Sequence, residues 1–147
     1  MAESLSAEIK IRSVIEDVDS SGLPVGEAEI TESVCRGVLR TAGADFILSY
    51  SEKSEGQSVD TELTVSQGGE LRLLRRGAIE SELLFSKGGE YGTLYSVGPY
   101  KFDMKVKTKR IRRALDASGG EISLVYEMTL GGSRRLARMR IEVCTAK

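Results

Sequence analysis

A chain of 147 residues, 40% hydrophobic and 29% charged, is sized and composed for one soluble domain with a core of its own. Histidine is absent and cysteine occurs only at Cys35 and Cys144, which excludes Ser-His and Cys-His nucleophile pairs and any four-ligand zinc site of Cys and His within the chain. The net charge of −1 conceals a division: residues 1–62 carry 13 acids against 5 bases, and residues 63–147 carry 9 against 16. Such halves either neutralise each other as neighbouring strands or leave a charged interaction surface.

Residues 1–6 are expected to be a flexible end, ahead of a first strand from Glu8 to Asp17 with Ile9, Ile11 and Ile15 on one face. Asp19 to Gly26 is a loop by composition, and a second strand runs from about Glu27 to Arg40 with Ala28, Ile30, Val34 and Val38 on one face. After a turn at Thr41–Asp45, Phe46, Leu48 and Tyr50 mark a third strand, and Ser51–Gln57 is polar and turn-like. The fourth strand places Val59, Leu63 and Val65 inward, and Gln67–Glu70 is a hairpin turn. Leu71 and Leu73 begin the next strand, with Arg75-Arg76-Gly77 expected as a three-residue hairpin loop before Ile79, Ser81, Leu83 and Phe85.

Lys87–Gly89 turns the chain into a weaker strand, Glu90–Val97, which Gly98-Pro99 breaks. Tyr100 to about Arg110 alternates clearly, with Phe102, Met104 and Val106 against lysines, and Ile111 and Leu115 lie on a continuing or following strand. Ser118–Gly120 is expected to turn into Glu121–Leu130, where Ile122, Leu124, Tyr126, Met128 and Leu130 share a face. Gly131-Gly132 leads to the last strand, carrying Ala137, Met139, Ile141 and Val143.

No segment of ten or more residues has a helical period, and nine or ten short strands at this spacing are those of a barrel or sandwich. Closure is favoured over an open sheet, since an open meander would leave two long bare edges; a two-sheet sandwich shares the pattern. The expectation is an all-β, single-domain, antiparallel up-and-down barrel over residues 1–147. No apolar run approaches the roughly 20 residues of a membrane helix. The first residues lack a basic start and an apolar stretch, so the cytoplasm, with both thiols free, is the expected setting.

The run Gly77-Ala-Ile-Glu-Ser81-Glu-Leu-Leu-Phe85-Ser-Lys-Gly88, then Tyr95, Pro99 and Val106-Lys-Thr108-Lys, resembles the YwiB-like proteins, small bacterial proteins grouped as a domain of unknown function. Ile9-Lys-Ile-Arg-Ser and Val125-Tyr-Glu-Met are similar too, so the resemblance spans about residues 8–144. It implies a calycin-like β-barrel, the architecture of lipocalins, and no catalytic residue or cofactor. Where that family tends to have a Thr-Pro-aromatic-Gly turn, this chain has Ser96-Val97-Gly98-Pro99-Tyr100.

Three kinds of site are open on these residues. A barrel of this size is either filled by side chains or holds one small molecule, and Phe85, Phe102, Met104, Tyr126, Met128 and Met139 are candidates to line a pocket for an apolar or amphipathic ligand or simply to fill the core. Lys101, Lys105, Lys107 and Lys109, with Arg138 and Arg140 on the last strand, would make a cationic stripe for nucleic acid or an acidic protein if their strands adjoin, and a solvated outer face otherwise. Aromatics for base stacking do not interleave with the lysines. Glu80 and Glu82 share one strand face, whereas glycosidase chemistry needs carboxylates across a cleft. Cys144, next to a basic strand, is the better candidate of the two for a reactive thiol. Neither the phosphate-loop nor the dinucleotide fingerprint is present, so no catalytic residue, metal or cofactor is assigned.

Overall fold

Period-two alternation interrupted by short turns produces a wall built only of strands. The computed structural model describes residues 3–54 and 56–145. The strands are β1 (Glu3–Val18), β2 (Pro24–Ala42), β3 (Asp45–Ser54), β4 (Gln57–Val65), β5 (Leu71–Gly77), β6 (Ile79–Phe85), β7 (Glu90–Val97), β8 (Tyr100–Asp116), β9 (Gly119–Leu130) and β10 (Ser133–Thr145). Each pairs antiparallel with the next, and β1 pairs with both β2 and β10, so the ten strands close into one up-and-down barrel. Closure gives every strand a neighbour on each side along at least part of its length, which removes the two long bare edges an open meander would expose.

Ring closure sorts side chains into a lumen set and an outer set. Ile9, Leu48, Leu63, Leu73, Phe85, Val106, Ile122 and Ile141 are among the buried residues of one core cluster inside the ring. An extra residue at Lys109 shifts the β8–β9 register between Thr108 and Arg110. The bulge moves the inward set of β8 from even to odd numbers, so that Ile111, Arg113 and Leu115 take the face that Val106 and Thr108 occupy before it.

Several sequence expectations are corrected. Glu3–Ser6 belong to β1, paired with Val38–Thr41 of β2, and are not a loose end; Met1 and Ala2 lie outside the described residues. The apolar face expected for the second strand points outward, with Ile30 56% and Val34 64% exposed. The inward face carries Cys35, Gly37 and Leu39 instead, because Ile9 and Ala7 of β1 pair with Cys35 and Gly37. Gly37 is needed there: a Cβ would stand 2.2 Å from the Ser49 carbonyl oxygen and 2.7 Å from Ile9 Cδ1.

Gly119-Gly120 is not the turn between β8 and β9. Asp116 pairs with Gly119, so Ala117-Ser118 make the turn and both glycines are in the strand. Asp116 Oδ1 accepts hydrogen bonds from Ser118 N (2.8 Å) and Ser118 Oγ (2.6 Å), which sets the turn one step earlier than the glycine doublet suggests. Arg75-Arg76-Gly77 is likewise not a loop. β5 continues to Gly77, and Arg75 is paired with Thr61 on one side and Ser81 on the other.

Gly120 has φ +142°, and a Cβ on it would lie 1.9 Å from the Ala114 carbonyl oxygen, a backbone atom that cannot swing away. Gly88 has φ +74° with open space around it. Gly120→Ala is expected to cost roughly 1–3 kcal/mol and Gly88→Ala about 1 kcal/mol. Urea unfolding midpoints check the order, and equal losses would contradict the close approach of β8 and β9.

Candidate functional site

The two ends of the lumen differ in chemistry. Toward the turns after β2, β4, β6 and β8 the inward side chains are aliphatic and buried, among them Val65, Leu71 and Ile122. One inward cation lies at this end, Arg113, and its Nη1 donates across the barrel to the Ser66 carbonyl oxygen. Toward the opposite end the inward residues become polar and half-buried: Ser33 and Cys35 on β2, Glu52 on β3, Arg75 on β5, Tyr95 on β7 and Met128 on β9. This is the open end.

A belt of hydroxyls lies beneath it. Thr61, Ser81 and Thr108 are only 3%, 6% and 2% exposed. Their side-chain oxygens have no hydrogen-bond partner among the described residues, an arrangement that is costly unless something accepts or donates there. Thr61 and Ser81 flank Arg75 at the same level of the wall. The buried phenols of Tyr50 and Tyr126 adjoin the same space. Burial pushes the Tyr50 hydroxyl up and Glu52 adds to that, while Arg75 and the neighbouring Thr61 hydroxyl pull it back, so Thr61 lies close to the phenol although the two are beyond a regular hydrogen bond. Burial also raises Tyr126, again opposed by Arg75. Arg75 is half-buried and shares the parity of the inward Leu71 and Leu73, which places it on the lumen face, in reach of the phenols from β3 and β9. Arg75 is in no ion pair among the described residues.

The wall also parts below this end, from Ser81 toward the turn after β6. β6 and β7 pair only at Ile79–Val97 and Glu80–Ser96, then diverge. Outside the opening, the Tyr91 hydroxyl donates to Glu82 Oε1 at 3.2 Å, while Glu82 Oε2 takes Arg72 Nε at 2.8 Å. β2 and β3 pair only from Gly37–Tyr50 to Ala42–Asp45. Above that, the Ser33 hydroxyl reaches Glu52 Oε2 at 3.2 Å.

The six candidate lining residues all occupy inward positions, though at different depths. Phe85 is fully buried and packs against Tyr126, ring centroids 4.9 Å apart and tilted by 54°. Met104 and Met139 are buried, Met128 packs on the edge of the core, and Phe102, 41% exposed, stands on the open rim. Sequence reasoning missed Arg75, Thr61, Ser81 and Thr108. The signal for Arg75 was present, since Leu71, Leu73 and Arg75 share one parity.

The family described as "Domain of unknown function (DUF1934)" matches residues 9–143. The chain belongs to this family. A Bacillus subtilis (strain 168) protein described as "Uncharacterized beta-barrel protein YwiB" is 29% identical over 131 residues, covering 89% of this chain and 87% of that protein. The crystal structure of the YwiB protein from Bacillus subtilis superimposes with a TM-score of 0.84 at 28% identity, over 98% of this chain and 94% of that one.

On the outside of this DUF1934 barrel the bases do not form one stripe. Lys101, Lys105 and Lys107 are exposed on β8, interrupted by Asp103. Arg138 and Arg140 are on β10, and β9 lies between the two strands. Its Glu127 pairs with Lys109 at 3.4 Å and also with Arg134. Arg140 pairs with Glu121 at 2.9 Å, and Arg138 with Glu16 of β1 at 3.6 Å. At the rim Arg135 meets Asp17 at 3.0 Å, so acids of the first half partly neutralise bases of the second. Glu82, one of the two carboxylates on β6, is held below its usual range mainly by Arg72. Among the described residues no group of three or more His, Cys, Asp and Glu is placed to hold a metal.

Two predictions follow from the charges of this DUF1934 barrel. The Arg134 guanidinium holds the Glu127 carboxyl below the usual carboxylate range, against the opposing effect of burial and with help from Lys109. A depressed carboxyl stabilises the fold above its unfolded pKa of about 4.3, and the contribution disappears as pH falls through the folded value. Glu127→Gln is expected to cost about 1 kcal/mol at neutral pH, with the gap to the parent closing in acid when urea midpoints are compared.

The second concerns the thiols, both free. Burial pushes Cys35 up and Glu52 pushes it further, whereas Cys144 is exposed on the outer face. Only the thiolate attacks, so Ellman's reagent is expected to label Cys144 first and Cys35 at least tenfold more slowly. Glu52→Gln should narrow that difference.

Proposed function

We propose that this protein is a non-enzymatic binding protein that takes a small amphipathic molecule at the open end of its barrel. One observation carries the reading: the lumen changes from a packed aliphatic end to a half-buried polar end, and the Ser81 and Thr108 hydroxyls beneath it have no hydrogen-bond partner among the described residues. A solvated core filler has no use for Thr61, Ser81 and Thr108 in that state, whereas a ligand's polar head satisfies them while its apolar part meets Met128 and Phe102. The parting of β2 from β3 above Gly37–Tyr50, toward the open end, supports a route in.

The calycin-like character implied by the resemblance fits this reading, as does a cytoplasmic setting with two free thiols. A non-catalytic role is supported by the absence of histidine from the chain and by the engagement of Glu82 with Arg72 and Tyr91. The basic outer face is the weaker candidate for a partner surface, because Glu121 and Glu127 on β9 divide it.

A ten-carbon series of decanol, decanoate and decylamine tests the reading by thermal denaturation and native mass spectrometry. At least one member is expected to raise the unfolding midpoint and appear as a one-to-one adduct. At a hundredfold excess over Kd the stabilisation is about 2.7 kcal/mol. No shift and no adduct with any of the three would overturn it.

A further inference from the structure

Below the rim, the described residues include two inward arginines in opposite situations. Arg113 at the packed end is satisfied by the Ser66 carbonyl oxygen. Arg75 at the open end is half-buried, has no carboxylate within ion-pairing distance among the described residues, and donates no side-chain hydrogen bond to them. An unpaired guanidinium withdrawn from water carries a desolvation cost that a bound anion offsets with two parallel charge-assisted hydrogen bonds.

We propose that the molecule taken at this end is a monoanion, a carboxylate, and that Arg75 is its counter-ion, with Thr61 and Ser81 donating hydroxyl hydrogen bonds to the same group. This rests on the reading of the open end as the ligand site and adds the chemistry of the head. Thr61 and Ser81 sit directly across from Arg75 on the flanking strands, each more than nine-tenths buried and without a regular hydrogen bond among the described residues, with Thr61 beside the Tyr50 phenol, so the three donors lie side by side on one stretch of the lumen wall.

The remaining charges facing the lumen choose among anions. Glu52 stands on β3 at the same end, drawn toward β2 by Ser33. Arg135 and Asp17 cancel each other at the rim, and Arg113 is at the far end. One free cation therefore faces one carboxylate already present. A single negative charge is matched by Arg75, whereas the second charge of a phosphate monoester would be left facing Glu52.

The test measures binding of decanoate, decanol, decylamine and decyl phosphate to the full chain by isothermal titration calorimetry, with the parent, R75M and E52Q. In the parent, decanoate is expected to bind at least tenfold more tightly than decanol, and more tightly than decylamine or decyl phosphate. R75M should abolish the preference for decanoate over decanol, with an unchanged far-UV circular dichroism spectrum as the control for an intact barrel. E52Q should tighten decanoate several-fold and leave decanol unchanged, which a merely structural Arg75 would not produce.

Decanol binding as tightly as decanoate in the parent overturns the head-group assignment and leaves the amphipath reading standing. A preference for decyl phosphate overturns the monoanion. Retention of the decanoate preference in R75M overturns the role of Arg75. Failure of all four probes overturns the head group and the binding reading together. The parent ratios and the E52Q effect decide the matter even where R75M does not fold.

Discussion

Ring closure through β1 is the constraint from which the rest follows. β1 hydrogen-bonds to β2 on one side and β10 on the other. A strand with two neighbours leaves its side chains only two directions, into a shared interior or out to water. Once the ring is closed, an inward polar group cannot reach solvent by a small movement. It must find a partner inside, accept exposure at an end, or remain unsatisfied. Arg113 takes the first course, Glu52 the second, and, among the described residues, Ser81 and Thr108 the third.

Closure is nonetheless uneven. The ladder is long where β1 meets β2 and where β8 meets β9, and it is down to two residue pairs where β6 meets β7. There, contact passes from backbone to side chain, through Tyr91, Glu82 and Arg72 on the outer surface. The Thr108 amide, next to the opening, is satisfied by the Gly89 carbonyl oxygen at 3.0 Å. Side-chain bridges are weaker than a continuous ladder because each is a single exposed contact. The parting therefore coincides with the part of the wall held by the least cooperative interactions, and it runs from Ser81 toward the packed end of the lumen.

The outer face follows from the same closure. Bringing β10 back to β1 sets the basic last strand against the acidic first one, so Arg135 meets Asp17 and Arg138 meets Glu16. Interposing β9 places Glu121 and Glu127 between the lysines of β8 and the arginines of β10. Runs of bases that look continuous along the chain are thus interrupted in space, since a meander alternates strands of different charge around its circumference.

Alternation and turn chemistry made most of the architecture legible from the amino-acid order. The strands of Phe46–Tyr50, Val59–Val65 and Phe102–Val106 carry their apolar residues inward as their period requires. The sequence by itself determined an all-β chain, the position of most strands and the inward parity of the six lining candidates. It also contained Arg75 on the parity of Leu71 and Leu73, obscured by an Arg-Arg-Gly run that reads as a turn. Only the tertiary structure decided which face of β2 lies inside, because Val34 and Cys35 are both apolar enough for a core and Gly37 alone fits beside Ile9 and Ser49. It also decided that Gly119 and Gly120 lie in a strand, since their need for positive φ and close approach comes from β8 and β10 on either side. The unpaired state of Arg75 and the hydroxyls beside it belongs to the same class: whether a polar group has a partner depends on what lies across the lumen, and local sequence carries no record of that distance.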